Sequence, residues 1–422
     1  MKNAVLSAAA ALMLLSCNQN QIMNTLNLIQ EWDKTFPLSE SVNHRKVTFD
    51  NQFGLTLVAD LYWPKEIAGQ AEIAGQAGND VPPVASGNDA PVTSGNDVLV
   101  TPCNDATVTS GNDALVTPGL TGRLLPAIAV SGPFGAVKEQ SSGLYAMRLA
   151  ERGFVTLAFD PSYTGESSGQ PRRTASPDIN TEDFLAAVDF LSKQENVDAE
   201  RIGIIGICGW GGIALNAAAA DTRIKATLVS TMYDMTRNSG NGYFDSADNE
   251  QARHAMREAL SSQRLQDPSA MLGGVVNPLP EDAPQFVKDY YDYYITPRGY
   301  HPRSGNSNDG WRTIGIQAYN NARFLYYINE IRSAVLVLHG ENAHSRYMGE
   351  AAFHYMVDGK AEGYTNVVKP NPVPENKELY IVPGASHCDL YDGGWTGPEG
   401  TGEPKNLIPF DKIETFFKTY LK

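Results

Sequence analysis

The sequence predicts an α/β protein with a mostly parallel central sheet and helices on both faces. Short apolar runs alternate with segments of helical periodicity across residues 123–234 and again across residues 331–422. Alternating strands and helices of this length form parallel sheets that are covered on both faces. Residues 235–330 interrupt the alternation with a polar, aromatic segment of helical character, which predicts a helical cap inserted into the sheet domain.

Each predicted strand is a short run of β-branched or apolar residues that ends near a turn residue. Residues 43–65 hold the first two strands, which read as an antiparallel start to the sheet. The predicted strands are 44–49, 55–63, 125–130, 154–159, 201–206, 224–230, 334–338 and 378–382. The predicted helices are 141–152, one that Thr181 caps, one through the alanines 217–220, and 410–420.

Composition excludes one class of function. The chain has 422 residues and a formal net charge of −15. Nucleic acid binding requires clustered Lys and Arg, and no basic stripe offsets the acidic balance, so a nucleic acid partner is not expected. No cofactor and no metal site are predicted from the motifs.

The N-terminus has the pattern of an export signal. Lys2 precedes an apolar run, Ala4 to Leu15, which is too short to span a bilayer. The run ends in Leu14-Leu15-Ser16-Cys17, which resembles a bacterial lipobox. Residues 1–16 are therefore predicted to be a signal peptide, Cys17 the lipidated residue, and residues 17–42 a lipid-anchored tether. This predicts a membrane-anchored lipoprotein of the bacterial cell envelope, periplasmic or outer membrane; the alternative is an ordinary secretory signal.

Residues 66–122 form a repeat-rich insertion. Gly-Asn-Asp begins at 78, 87, 95 and 111, and Cys103-Asn104-Asp105 occupies the missing place. From residue 87 onward these units recur every eight residues. A calcium-binding β-roll would need a nine-residue repeat with paired glycines, and that pattern is absent from the sequence. The composition is rich in small and polar residues and predicts a disordered insertion outside the fold.

The turn after the strand 201–206 has the pattern of a nucleophile elbow. The segment reads Gly206-Ile207-Cys208-Gly209-Trp210, with small residues where neighbouring backbone approaches the nucleophile. This places Cys208 at the nucleophile position, and the following helix is expected to lower the pKa of its thiol. The alternative is that Cys208 is only a small buried residue at a tight turn.

One residue of this segment departs from the pattern. Trp210 stands where glycine is expected. It is predicted to lie in the substrate pocket, where it would restrict access or abolish activity.

The predicted base is His387, in the loop after the last strand, in the chain order nucleophile, acid, histidine. The sequence does not decide which residue is the acid that supports His387. Ala343 occupies the place after the strand 334–338 where Asp is usual, so the candidates are Glu341 and Asp234, with Asn342 as an uncharged alternative. The oxyanion hole is predicted to use the backbone N–H groups of Gly209 and Phe134.

These segments together resemble the dienelactone-hydrolase-like α/β hydrolases, in particular the branch that contains fungal polyketide transferases and many bacterial members. The resemblance covers most of residues 43–422 apart from the insertion. It implies an α/β-hydrolase fold, Cys208 and His387 as the catalytic pair, and His344 and Ser345 as pocket residues. The matching segments are Gly132-Pro133, Val137-Lys138-Glu139-Gln140, Leu144-Tyr145-Ala146, Phe159-Asp160, Gly165-Glu166-Ser167, Gly206-Ile207-Cys208, Tyr233-Asp234-Met235, Ala343-His344-Ser345-Arg346-Tyr347, His387 and Asp389-Leu390-Tyr391-Asp392.

The sequence therefore predicts a Cys–His hydrolase that acts on an ester, thioester or lactone of a small, partly apolar acyl substrate. Two alternatives remain. A catalytically inactive ligand-binding lipoprotein on the same scaffold would follow if Trp210 filled the pocket. A peptidase is the other, although no additional substrate-binding domain is recognisable.

Overall fold

The computed structural model describes residues 28, 31–65, 123–359 and 370–422. The predicted signal peptide, Cys17, half of the tether 17–42 and the insertion 66–122 with Cys103 lie outside the described residues. Within the described ranges, no helix is long and apolar enough to cross a membrane.

Eight strands form one twisted sheet in the order β1-β2-β4-β3-β5-β6-β9-β10. β2 pairs antiparallel with β1 and β4, and every other neighbouring pair is parallel. The predicted fold class is thus confirmed, and each predicted strand is present. The strands are β1 Val42–Asp50, β2 Thr56–Pro64, β3 Leu125–Ser131, β4 Val155–Phe159, β5 Val197–Ile207, β6 Ile224–Ser230, β9 Ala334–Gly340 and β10 Lys377–Val382.

Helices cover both faces of the sheet because successive strand residues point to opposite sides. In β9, Val335 and Val337 belong to one buried cluster and Leu336 and Leu338 to the other. The first cluster contains residues of α2, α3 and α9, and the second those of α1 and α11. These helices are α1 Ser141–Ala150, α2 Pro177–Ser192, α3 Gly209–Ala220, α9 Arg346–Asp358 and α11 Phe410–Tyr420.

The helix that was predicted to start at Thr181 begins earlier. Its first residue is Pro177 and its N-cap is Ser176. Proline is favoured in the first turn of a helix because that position needs no N–H donor. Thr181 lies inside the helix, where its hydroxyl donates to the Pro177 carbonyl at 2.7 Å.

The segment between β6 and β9 is mostly helical and also contains a short antiparallel ribbon. The ribbon joins β7 Met271–Leu272 to β8 Trp311–Arg312. The segment packs over the carboxyl ends of the parallel strands, the edge at which α/β proteins bind ligands. Its helices are α4 Met235–Asn241, α5 Glu250–Gln266, α6 Gln285–Tyr294, α7 Gly305–Asp309 and α8 Thr313–Tyr319, and a single-turn helix, α10 Asp389–Asp392, follows β10.

A buried group of charges, here called the Lys138 cluster, joins the first strands to the core. It comprises Lys138, Glu139, Asp160, Glu166 and Lys46. Lys138 Nζ lies 2.7 Å from Glu139 Oε1, 2.8 Å from Asp160 Oδ2 and 2.6 Å from Glu166 Oε2. Burial alone lowers the pKa of Lys138, but the surrounding carboxylates outweigh it and raise that pKa well above its usual range. The ammonium group therefore stays charged inside the protein.

Candidate active site

Cys208 lies at a strained turn between β5 and α3. Its backbone has φ 58° and ψ −127°, a conformation that non-glycine residues rarely adopt. Gly206 makes the turn possible, because a Cβ there would clash with the Trp210 carbonyl and lie 2.7 Å from the Ala214 Cβ. The strand, the sharp turn and the helix together present the Cys208 side chain above the sheet edge.

Two backbone N–H groups lie close enough to the Cys208 sulfur to act on the pKa of its thiol. They belong to Gly209, the first residue of α3, and to Phe134, in the loop after β3. The structure thus brings together the predicted nucleophile, Cys208, and both residues that were predicted for the oxyanion hole. The loop packs closely here, since a Cβ on Gly209 would lie 2.7 Å from the Phe134 Cβ.

The helix was expected to lower the pKa of the Cys208 thiol, but burial outweighs this effect. Burial raises the pKa of Cys208 above its ordinary value, although the N–H groups of Phe134 and Gly209 act in the opposite direction. The prediction that this pKa would be lowered was therefore wrong in sign. The reason is that removing a thiolate from water costs more than the helix terminus and its N–H groups return.

His387 follows β10 and is fully buried beside the elbow. Its Nδ1 lies 2.8 Å from Thr231 Oγ1 and 2.8 Å from Ser345 Oγ. Its Nε2 lies 2.9 Å from the Tyr391 hydroxyl. Burial, with smaller contributions from His344 and His339, lowers the pKa of the imidazole well below its usual range. His387 is therefore neutral in the resting protein.

A cavity of about 440 Å³ opens onto Cys208 between the sheet edge and the segment 235–330. Among the described residues that line it there is no Asp, Glu, Lys, Arg or His. Its walls are mostly aromatic and aliphatic, with a few uncharged polar groups such as Asn238 and Ser307. The aromatic wall includes Phe134, Tyr243, Phe286, Tyr290, Trp311 and Tyr319.

Comparison with known proteins agrees with this geometry. A family model described as PET hydrolase-like (PETase) matches residues 98–241. The protein PA2218 of Pseudomonas aeruginosa is 45% identical over 435 residues, which cover 100% of this chain and 95% of the relative. The chain belongs to the dienelactone-hydrolase-like α/β hydrolases.

Solved structures and another relative are also similar to this chain. The crystal structure of PA2218 is similar, with a TM-score of 0.70 and 47% identity over 94% of this chain and 99% of that one. The thiohydrolase aneE of Aspergillus aculeatus is 37% identical over 103 residues, 24% of this chain and 32% of the relative. The α/β hydrolase GrgF of Penicillium has the same fold, with a TM-score of 0.57, 16% identity and coverage of 90% and 99%.

The predicted acids of the hydrolase do not reach the imidazole. Glu341 accepts a hydrogen bond from the Gly384 N–H at 2.8 Å, and Asn342 donates to the Gly384 carbonyl at 3.2 Å. Asp234 caps α4 by accepting from the backbone N–H groups of Thr236 and Arg237. Both ring nitrogens of His387 are hydrogen-bonded to hydroxyl groups. The prediction that Glu341 or Asp234 is the acid that supports His387 is therefore corrected, because neither carboxylate contacts the imidazole.

Trp210 is not a pocket residue of the hydrolase. Its ring is 1% exposed and packs against Phe159 and Phe184 in the first buried cluster, whereas Cys208 belongs to the second. The tryptophan therefore fills the core and is not among the residues that line the cavity. The prediction that Trp210 lies in the pocket was wrong, and the argument for an inactive protein that rested on it is removed.

The remaining pocket candidates, His344 and Ser345, lie next to the cavity and do not line it. Ser345 is buried and contacts His387. His344 stacks on Phe286 with ring centroids 4.6 Å apart, and its Nε2 contacts the Tyr233 hydroxyl. Burial lowers the pKa of His344 to about 4, so it is uncharged near neutral pH.

Two residues of the site were missed by the sequence reasoning. Thr231, the residue after β6, has φ 46°, a strained value for a β-branched residue, and touches the His387 ring. Tyr391 lies four residues after His387, and this spacing, which brings side chains together on a helical turn, was the available signal. For Thr231 the sequence carries no comparable signal. Within the ranges that the structure describes, no cluster of three or more His, Cys, Asp or Glu residues is arranged to bind a metal ion.

Proposed function

We propose that this hydrolase catalyses acyl transfer to water from an ester, thioester or lactone, with Cys208 as the nucleophile and His387 as the base. The observation that carries the proposal is the elbow. It holds the sulfur beside the N–H groups of Phe134 and Gly209 and opens it onto a cavity of about 440 Å³. A nucleophile next to two converging N–H donors is the arrangement that acyl transfer requires.

The reaction proceeds in two halves. The Cys208 sulfur attacks the carbonyl carbon as its proton passes to the imidazole, and the two N–H groups stabilise the oxyanion. Collapse of this intermediate gives a thioester on Cys208, and the leaving alcohol or thiol takes the proton back from His387. Water, deprotonated by the same imidazole, then attacks the thioester and releases the carboxylic acid.

The neutral pair suits a thiol better than a hydroxyl. Among the residues that the structure describes, no carboxylate contacts His387, so the hydroxyls of Thr231 and Ser345 would stabilise the imidazolium formed during the reaction. A thiol is far more acidic than a serine hydroxyl and needs a weaker base. The absence of an acid at His387 is therefore consistent with a cysteine nucleophile.

The cavity indicates the class of acyl group. Because no Asp, Glu, Lys, Arg or His among the described residues lines it, a charged acyl group would lose its hydration without gaining a charged partner. Aromatic walls favour an apolar or aromatic acyl group instead. The relative aneE, which is called a thiohydrolase, makes thioesters the first class to test.

The decisive experiment compares Cys208→Ala with Cys208→Ser on a neutral aryl ester and the matching alkyl thioester. We expect Cys208→Ala to lower kcat by about a thousandfold or more, since the nucleophile is removed. Cys103→Ala is the matched control, because it removes a different thiol, and it should keep full activity. Hydrolysis by Cys208→Ala at the rate of the unmodified protein would reject the mechanism.

We propose in addition that Cys17 carries a lipid anchor that holds the enzyme at the bacterial envelope. The support is the sequence Leu14-Leu15-Ser16-Cys17 after an apolar run. In cells expressing the full chain, Cys17→Ser should move the protein from the membrane fraction to the soluble fraction. Retention of Cys17→Ser at the membrane would contradict the anchor.

A further inference from the structure

The hydroxyl of Tyr391 occupies the space between the two groups that must exchange a proton. It lies 2.9 Å from Nε2 of His387, and it lies near enough to the Cys208 thiol to act on it electrostatically. Tyr391 and Cys208 both line the cavity, whereas His387 does not. No direct hydrogen bond joins Cys208 to His387 within the described part of the chain. The phenol oxygen therefore connects the buried imidazole to the cavity that Cys208 lines.

The imidazole is held in place from several directions. Two hydroxyl groups, those of Thr231 and Ser345, fix Nδ1 at 2.8 Å each. The rings of Tyr233 and His344 pack against it, with centroids 5.3 Å and 4.8 Å away. Turning the ring toward the sulfur would break these hydrogen bonds in a fully buried site, where unpaired polar groups are costly.

We propose that Tyr391 is a third catalytic residue, which relays the proton between the Cys208 sulfur and His387 Nε2. This inference rests on the proposed function. As the sulfur attacks the carbonyl, the S–H bond breaks and its proton goes to the Tyr391 oxygen. The proton of the phenol passes at the same time to Nε2. The phenol is regenerated, the imidazole gains the proton, and the oxyanion carries the matching negative charge.

The same path returns the proton. The imidazolium gives its Nε2 proton to the Tyr391 oxygen, and the phenol proton goes to the leaving oxygen or sulfur in the cavity. Because the two protons move together, no free phenolate is formed. Burial raises the pKa of Tyr391 well above its usual range and so disfavours a phenolate at this position. Tyr391 is suited to this role because it faces the cavity and touches the buried imidazole.

A second phenol offers the competing path. The Tyr290 hydroxyl also contacts the thiol, but it leads to His344 at 3.4 Å and to the Tyr233 hydroxyl at 3.1 Å. This branch has the longer contact to a histidine, and His344 Nε2 already contacts Tyr233. Tyr290→Phe therefore serves as the comparison in the experiment.

The experiment measures kcat and KM of Tyr391→Phe, Tyr290→Phe and Tyr293→Phe on the neutral ester and thioester substrates. Tyr293 is the matched control, because its ring packs 4.9 Å from that of Tyr391 and it does not line the cavity. We expect Tyr391→Phe to lower kcat by about a hundredfold with KM little changed, as for loss of a general acid–base group. Tyr293→Phe should leave kcat within about threefold of the unmodified enzyme, as expected for a residue outside the proton path.

A second measurement separates a relay from a structural role. In mixtures of light and heavy water, kcat of the unmodified enzyme should fall along a curve, because two protons move in one step. A straight line would overturn the relay, even if Tyr391→Phe failed to fold. Full kcat in Tyr391→Phe would also overturn it, and a loss confined to Tyr290→Phe would assign the relay to the other phenol.

The two proposals fail in different ways. If Cys208→Ala remains active, the proposed function is rejected and the relay with it. If Cys208→Ala and His387→Ala are inactive while Tyr391→Phe is fully active, only the relay is rejected.

Discussion

The Lys138 cluster and the group around His387 are both buried and polar, but the first consists of charged side chains and the second of uncharged ones. In the first, an ammonium group meets three carboxylates within 2.8 Å. In the second, here called the His387 cluster, uncharged hydroxyl, thiol and imidazole groups share hydrogen bonds. Its members are His387, Thr231, Ser345, Tyr391 and Cys208.

The difference explains which cluster is suited to chemistry. Buried full charges are stable only while each keeps its partner, so the Lys138 cluster fixes the geometry of its loops and cannot give up a proton cheaply. Neutral hydroxyl and imidazole groups both donate and accept, so protons can move along them without creating an unpaired buried charge. The first cluster therefore suits a structural role, and the second suits the proton transfers of the proposed function.

The largest expected effect comes from breaking the charged cluster. Lys138→Met leaves Glu139, Asp160 and Glu166 close together without their shared cation. We expect a loss of about 3–5 kcal/mol in the free energy of unfolding, measured by urea denaturation at neutral pH. The exposed Lys193→Met is the control, with an expected change below about 0.5 kcal/mol. A loss for Lys138→Met no larger than that of the control would contradict the comparison.

A smaller effect is expected in the neutral cluster. Ser345→Ala removes one of the two hydroxyls on Nδ1 of His387 and leaves Thr231 in place. Losing one uncharged hydrogen bond corresponds to about 1 kcal/mol, which is roughly a fivefold fall in kcat. Steady-state kinetics on the same ester measure it, with Ser192→Ala as a control that loses a hydrogen bond within α2. A fall as large as that of Cys208→Ala would show that the two hydroxyls are not interchangeable supports.

The pH dependence of alkylation tests whether the site is neutral. Burial raises the pKa of Cys208, so the thiol should keep its proton to a higher pH than a free thiol. The rate of Cys208 labelling by iodoacetamide, followed by mass spectrometry, should therefore still rise where that of a small reference thiol has levelled off. A rate that levels off at lower pH than the reference would mean that the thiolate is stabilised, against the neutral description of the cluster.

The smallest effect on activity is expected for Trp210, which packs in the apolar core and does not line the cavity. Trp210→Phe keeps an aromatic ring against Phe159 and Phe184 and removes an indole N–H that has no hydrogen-bond partner. We expect the free energy of unfolding to change by less than about 1.5 kcal/mol, with kcat and KM unchanged. A change in KM would place Trp210 back in the pocket.

The fold and the positions of Cys208 and His387 could be predicted because they depend on local patterns. Apolar runs of strand length marked the eight strands of the main sheet. The glycines around Cys208 marked the turn, and the loop after the last strand marked His387. These signals lie within a few residues of each other, and the order of strands and helices leaves few arrangements of a parallel sheet. The class of the protein, its elbow and the position of its histidine were therefore readable from the sequence alone.

Only the tertiary structure decided what surrounds these residues. Thr231 and Ser345 are 156 and 42 positions away from His387 along the chain, and no local pattern relates them to it. Glu341 and Asp234 have the right chemistry for an acid, but their side chains turn to nearby backbone N–H groups. The direction of the Trp210 ring and the net effect on the Cys208 pKa depend on packing and burial. Both properties depend on many contacts with segments that are distant in the sequence, and those contacts form only when the chain folds.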